Sequence, residues 1–305
     1  MRDLPSPPVF TVAEAYAAGW TPSALKNAVQ RGRIERVRRG AYTIRQHITP
    51  EISAIAAART VPHAVVSHRS AALLHGLPLI GARPPLPEIT VPPRTRGDVP
   101  DVHLHRAQLR ADDVVLIGDT PTTSPARTVA DLARHRPLST AVAATDAALH
   151  HELMTADQLD DVLRFCWNWP RIRRAQLARR LADGRAESPL ESVSRLILPR
   201  LGLPAPQIQT HIFDRYGRLL GRADFYWDEF GVVGEADGRS KYDERRVLTD
   251  EKDRQEDFEN LALVVVRWGW DHARALQHVL RARIEGGFER GRLRDRSGFP
   301  RLWTL

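Results

Sequence analysis

The chain has a single cysteine, Cys166, in 305 residues, so an intrachain disulfide and a cysteine-rich metal site are both excluded. Long apolar runs are missing as well. No stretch approaches the roughly 20 consecutive apolar residues that a membrane span needs. The opening MRDLPSPPVF has no apolar core of signal-peptide length, so a cytoplasmic protein without membrane contact is expected. There is no G-x-x-x-x-G-K-[ST] loop, no G-x-S-x-G elbow and no H-E-x-x-H helix. P-loop nucleotide chemistry, the serine-hydrolase elbow and the zinc-peptidase motif are thereby removed. Cys166 sits between Phe165 and Trp167, which suits a buried structural thiol better than a nucleophile.

Positive charge is what the chain has in excess: 45 Lys and Arg against 37 Asp and Glu leave +8. That balance favours a polyanionic partner, although Arg-heavy residue usage alone would give the same number. The length is comfortable for two or three domains, and 42% apolar with 27% charged residues is a globular composition. Where the charge sits therefore matters more than its total.

Three segments follow from the local patterns: residues 1–45, 46–183 and 184–305. In the first, Thr11 with Glu14 reads as a capping box opening a short helix that Gly19 stops. Thr21-Pro22 then starts a second helix, with cap and proline in the usual order. Leu25, Ala28 and Val29 mark its apolar face, and Ser23, Lys26, Asn27 and Gln30 its polar one. After Gly32, the residues around Ile34 and Tyr42–Ile44 read as two short strands about an Arg-Gly turn. Helix, turn, helix and basic hairpin is the order of a winged helix.

The middle segment is expected to be mainly helical. Helices read at 50–59, 67–75, 124–134, 139–150, 155–165 and 171–182, with extended stretches only at 88–91 and 102–105. In the last segment a helix at 188–201 precedes extended runs at 207–213, 219–227 and 231–236. A charged helix at 244–261, an apolar run at 262–266 and a helix at 272–284 complete it. That order implies a mixed sheet flanked by helices, so the whole is an α+β, multidomain protein.

Two groups of residues carry chemistry. Between Arg31 and Arg39 lie five arginines (Arg31, Arg33, Arg36, Arg38 and Arg39) against one acid, Glu35. Guanidiniums of a wing address phosphates or the minor groove, while Ser23, Lys26, Asn27 and Gln30 are able to hydrogen-bond base edges. Five neutralised phosphates give a log–log salt slope of about −4.5. The competing reading is a solvated charge run on a protein-binding module. The second group is Asp224, in or at the end of one extended run, and Glu235, at the end of the next, with Glu191 on the preceding helix. Such carboxylates are able to share a divalent ion that activates water and neutralises a phosphate. The alternatives are an inactive remnant, or surface pairing with Arg222, Arg239 or Arg254. The charged helix with Lys252, Arg254 and Gln255 either contacts phosphates or is a solvated face. His68, His75, His103, His105, His150 and His151 show no consistent ligand spacing and read as capped or half-buried side chains. His103 and His105 nevertheless fall on one side of a strand.

The stretch FTVAEAYAAGWTPSALKNAVQRGRIERVRRGAYTI resembles the N-terminal domain of AbiEi-type antitoxins from type IV toxin–antitoxin systems. SHRSAALLHGLPL, EITVP and TTSPARTVADLA resemble the middle part of the same group, so the likeness runs over about 10–183. It implies a winged helix that binds double-stranded operator DNA and represses its own promoter, and a cognate toxin, usually a nucleotidyltransferase. ESPLESVSRLIL, GRADFYW, GEADGRSKY and EKDRQEDFENLALVVVRWGW are similar to the restriction-endonuclease-like superfamily written PD-(D/E)xK, in its very-short-patch-repair-like branch. That resemblance implies a C-terminal α/β restriction-endonuclease-like domain. In it Asp224 and Glu235 are ligands of Mg2+ or Mn2+, and Glu191 supports them. The lysine expected two residues after Glu235 is Asp237 here; Lys241 is the substitute nearest in sequence. A DNA-binding autorepressor or antitoxin-like regulator is thus the first expectation. A metal-dependent DNA endonuclease targeted by its winged helix is the second, and an antitoxin that neutralises a toxin by direct contact the third.

Overall fold

Capping chemistry places the first helices where the sequence puts them. In the computed structural model, which describes residues 9–44, 47–214, 216–237, 258 and 261–295, Thr11 and Glu14 close a reciprocal capping box on α1 (Val12–Ala17). Thr21 caps α2 (Pro22–Gln30), whose first residue is the expected proline. The chain divides into two compact units, Met1–Leu181 and Ala182–Leu305.

In the first unit, β2 (Glu35–Arg38) and β3 (Ala41–Thr43) form a hairpin, and β1 (Val9–Thr11) pairs with β3 to make a three-stranded sheet. Gly40 has φ +88, a conformation that a two-residue hairpin turn demands and that glycine adopts without strain. Phe10, Ala15, Leu25, Ala28 and Ile34 are the small core under this sheet. Val29 does not join it. It is 37% exposed, because the helix turns it away from the stripe made by Leu25 and Ala28.

α3 (Pro50–Thr60) is apolar on several sides, and that composition has a structural cause. Ile52 and Ala56 pack on Val9 and Ala41 of the small sheet, while Ala57 packs with Ile89 and Val91 of a second sheet. The second sheet has five strands: β4 (Val65–Val66), β5 (Glu88–Val91), β6 (His103–Arg106), β7 (Val114–Ile117) and β8 (Thr120–Thr123). Its order is β6-β5-β4-β8-β7, with β5–β6 and β4–β8 parallel and the other pairs antiparallel. The sequence shows two of these strands; β4 is only two residues long, and β7–β8 carry no clean alternation. The middle segment is therefore helices around a mixed sheet. The helices are α4 (His68–Leu74), α5 (Pro125–His135), α6 (Leu138–His150), α7 (Ala156–Phe165) and α8 (Ile172–Leu181). Cys166 is buried at the end of α7, and burial pushes its thiol up to about 11, as an inert structural cysteine requires.

In the second unit α9 (Pro189–Ile197) leads into a four-stranded mixed sheet of order β12-β11-β10-β9. Its strands are β9 (Gln207–Phe213), β10 (Leu219–Trp227), β11 (Val232–Ala236) and β12 (Val264–Trp268), with only β11–β12 parallel. The last expected helix is two: α10 (Trp270–Arg274) and α11 (Gln277–Arg292). Trp268 is buried against Phe225 and donates to Ser194 Oγ at 2.8 Å, a core role rather than base stacking. A Cβ at Gly234 would lie 2.6 Å from the Trp268 ring and 3.0 Å from that of Trp227. Gly234→Ala should therefore destabilise this unit by about 1–3 kcal/mol in urea unfolding, and an unchanged midpoint would show that the two indoles shift freely. The expected charged helix at 244–261, with Lys252, Arg254 and Gln255, falls almost wholly outside the described residues. No helix among the described residues is long and apolar enough to cross a membrane.

Candidate functional site

α2, the connection after it and the β2–β3 hairpin carry the basic residues of the first segment. Leu25 and Ala28 face the core, which leaves Ser23, Lys26, Asn27 and Gln30 exposed on the opposite side of α2. Arg31 and Arg33 in the connection, Arg36 on β2 and Arg39 in the turn are all exposed. Among the described residues none of these four guanidiniums is held in an ion pair. The nearby acid, Glu35, is exposed as well and does not neutralise them.

Arg38 departs from that pattern. Strand alternation with a register shift between Arg36 and Arg38 turns it inward, where Nη2 donates to the Pro100 carbonyl at 3.4 Å. Burial, partly offset by Asp101, lowers its pKa. As a free phosphate contact Arg38 is accordingly the weakest of the five.

The carboxylates of the second unit form another arrangement. β10 and β11 are antiparallel, and their ladder ends with Phe225 opposite Gly234, so Asp224 and Glu235 follow next along the two strands. Asp224 Oδ2 accepts the Ala236 N–H at 2.8 Å, and Glu235 is 8% exposed. On the parallel side Glu235 is the register partner of Arg267. Glu191 is buried near the start of α9, where its Oε2 accepts from the Glu187 N–H at 2.9 Å and from Gln209 Nε2 at 2.7 Å. Arg222, a candidate partner for the strand-end acids, instead pairs with Glu187 at 2.5 Å. Asp237 is exposed, and its backbone N–H donates to the Trp268 carbonyl. Lys241, Arg239 and Arg254 lie outside the described residues.

A third cluster escaped the sequence reading. His103 and His105 do share a face of β6, with rings stacked at 4.5 Å between centroids. His68 stacks on His105 at 3.5 Å, and His135 stands 5.2 Å from His68. Glu88 joins them from β5, opposite His103 in parallel register. Burial pushes His68 well below its ordinary pKa, and burial with the neighbouring His103 takes His105 down to about 4, so both rings are neutral at pH 7. The Glu88 carboxylate is held low despite its burial, because Arg69 hydrogen-bonds it from side chain and backbone. The His-x-His spacing is the visible half of this cluster; the glutamate comes from a strand pairing that no local pattern announces. Of the other histidines, His75 Nε2 contacts the Thr123 carbonyl at 2.7 Å, and His150 and His151 meet edge to face.

Comparison with known proteins bears on the first arrangement. A family model described as transcriptional regulator, AbiEi antitoxin, matches residues 6–45. Uncharacterized protein Rv2248 of Mycobacterium tuberculosis is 30% identical over 175 residues, covering 56% of this chain and 63% of its own length. Uncharacterized protein MT2308, from another strain of that organism, matches to the same extent. The chain thus spans just under two thirds of these relatives, at 63%. Among solved structures, the RV2827C protein from Mycobacterium tuberculosis matches with a TM-score of 0.39 at 16% identity, over 57% of this chain and 72% of that one.

Proposed function

We propose that this protein is a DNA-binding transcriptional regulator of the AbiEi antitoxin kind, whose N-terminal winged helix reads operator DNA near its own gene. One observation carries the proposal: the segment 9–44 exposes four guanidiniums (Arg31, Arg33, Arg36, Arg39) without ion pairs among the described residues, together with a polar helix face (Ser23, Lys26, Asn27, Gln30). The family match covers this same segment. α2 enters the major groove with its amide and hydroxyl side chains, and the hairpin arginines hold the flanking phosphates. Specificity then comes from Asn27 and Gln30, whose amides pair bidentately with adenine, and from Lys26 on guanine. The test is a gel shift on double-stranded DNA from upstream of the gene, against scrambled DNA of equal length. Retardation of both to the same extent at every salt concentration would reduce the site to non-specific charge. A cognate toxin, of the nucleotidyltransferase class that such antitoxins accompany, is the partner this reading implies.

A second reading concerns the second unit. Asp224 and Glu235 on the adjacent strands β10 and β11, with Glu191 on the helix before them, support a restriction-endonuclease-like site that would hold Mg2+ or Mn2+. In that reading Lys241 supplies the cation beside the attacked phosphate. Metal-dependent nicking of plasmid should then occur and drop by about 100-fold or more in Asp224→Ala/Glu235→Ala. Equal nicking by wild type and double variant would mean a contaminating nuclease, and no nicking by either a fold without this chemistry.

A further inference from the structure

The strand pairing that builds the five-stranded sheet also gathers three metal-ligating side chains. Glu88 on β5 is the register partner of His103 on β6, and His105 follows two residues later on the same face. One ligand atom from each of Glu88, His103 and His105 falls within 4.8 Å of the others. Glu88 is buried, His105 half-buried and His103 exposed, so the cluster is reachable from the His103 side. His105 Nε2 is buried without a hydrogen-bond partner among the described residues. A buried ring nitrogen left without a partner carries an uncompensated desolvation penalty, and a ligated ion removes it.

We propose that Glu88, His103 and His105 bind one divalent ion of the zinc class, outside the DNA-contacting segment. His105 is held between His103 and His68, while His103 is exposed; an ion lies in the plane of each imidazole that binds it, so the exposed His103 ring turns out of its stack on His105 to share the ion. The opposing effect is the pair of arginines on Glu88: Arg69 and Arg136 both donate to its Oε1 at 2.7 Å. Two guanidiniums against one carboxylate leave the surroundings positive, and that decides which cation is bound. Mg2+ and Ca2+ hold on through several anionic oxygens, which this cluster lacks. An ion of the zinc class draws its bond energy from imidazole lone pairs, and two are available here. Glu88 Oε2, which accepts the Arg69 N–H at 2.8 Å, has lone-pair capacity left for a third bond. Three protein ligands leave the fourth tetrahedral position to water, on the open side.

The test titrates Zn2+, and Mg2+ in parallel, into the full-length, EDTA-treated protein by isothermal calorimetry. One Zn2+ per chain that depends on His103 is expected, with a Kd in the micromolar range or tighter, and any heat with Mg2+ should be the same in wild type and His103→Ala. His103→Ala, at an exposed position that leaves the core intact, should weaken binding at least tenfold. His103→Ala/His105→Ala should abolish it, while His150→Ala/His151→Ala should leave it unchanged. Co2+ substitution supplies a direct signature, a visible ligand-field band that disappears in His103→Ala. Zn2+ uptake untouched by His103→Ala, or no uptake at all, would overturn the assignment. DNA binding does not enter any of these measurements, so the outcome is separate from the operator-binding proposal.

Discussion

Replacing Arg31, Arg33, Arg36 and Arg39 together by alanine should flatten the salt dependence of DNA binding by about 3.6 in log–log slope, the release of four phosphate counterions. At physiological salt that corresponds to an affinity loss on the order of 1,000-fold on any duplex, specific or not. The four positions are exposed and make no ion pairs among the described residues, so their removal takes charge from the surface without opening the core. Far-UV circular dichroism should therefore be unchanged. Arg38→Ala separates charge from architecture. Its guanidinium reaches back to the Pro100 carbonyl, so the single change should cost stability of the first unit and leave the salt slope nearly intact. Asn27→Ala should do the opposite of the arginine set, narrowing the gap between operator and scrambled DNA while keeping the slope. A slope that stays constant in the fourfold variant would move the DNA-contacting surface elsewhere on the protein.

Arg127→Met should cost about 3–5 kcal/mol, the loss expected when one partner leaves a buried ion network. The guanidinium is 1% exposed on α5. Its Nε donates to Asp131 Oδ2 at 2.8 Å, and Nη1 donates to Asp113 Oδ2 at 3.1 Å and to the Gln108 carbonyl at 3.2 Å. Beyond it the chain of charges continues: Arg110 holds the other oxygen of Asp113, and Arg134 the other oxygen of Asp131. The Trp169 ring lies 4.5 Å from the Arg127 guanidinium carbon, adding a cation–π contact in a dry setting. Methionine keeps the volume but strands two buried carboxylates, each left with a single arginine at the edge. Arg127→Lys should recover little, because one ammonium cannot serve both acids and the carbonyl in the same geometry. Urea unfolding followed by far-UV circular dichroism reads the effect. A loss under about 1 kcal/mol would mean that Arg110 and Arg134 alone satisfy the two acids.

That network shows how a local pattern misleads. Arg127, Asp131 and Arg134 stand at i, i+4 and i+7 of α5, a spacing that on a surface helix reads as a solvated stripe with ordinary ion pairs. Here α5 packs against α4, α6, α7 and α8, and every residue from Ala126 to Arg134, the charged stripe included, is buried. Arg38 is the same lesson in reverse. It belongs to a run of arginines that the sequence treats alike, yet a register shift in a four-residue strand turns one of them inward.

The site residues were legible to different depths. The polar face of α2 and the hairpin arginines follow from helix period and turn chemistry, and except for the half-buried Arg38 the structure leaves these residues exposed. Asp224 and Glu235 were visible as acids in or at the end of extended runs; Asp224 lies inside β10 and Glu235 next to the end of β11, while Lys241 lies beyond the described residues. Glu88 had no signal at all. It sits inside EITV, an apolar-looking strand, and its chemistry depends on a parallel neighbour that follows across a long loop.

What the sequence determined by itself was local. Thr11 with Glu14, Thr21 with Pro22, Ser124 with Pro125 and Ser188 with Pro189 start helices, because a cap and a proline act on backbone groups within one turn. β9 and β10 run over 207–213 and 219–227 in both readings, since Gly and Pro bound them on each side. Tertiary structure alone decided which strands pair, that the two-residue β4 sits at the centre of its sheet, and which charges are buried. Those outcomes depend on contacts between segments tens of residues apart. Burial and strand register, unlike caps and turns, are properties of the partner as much as of the residue.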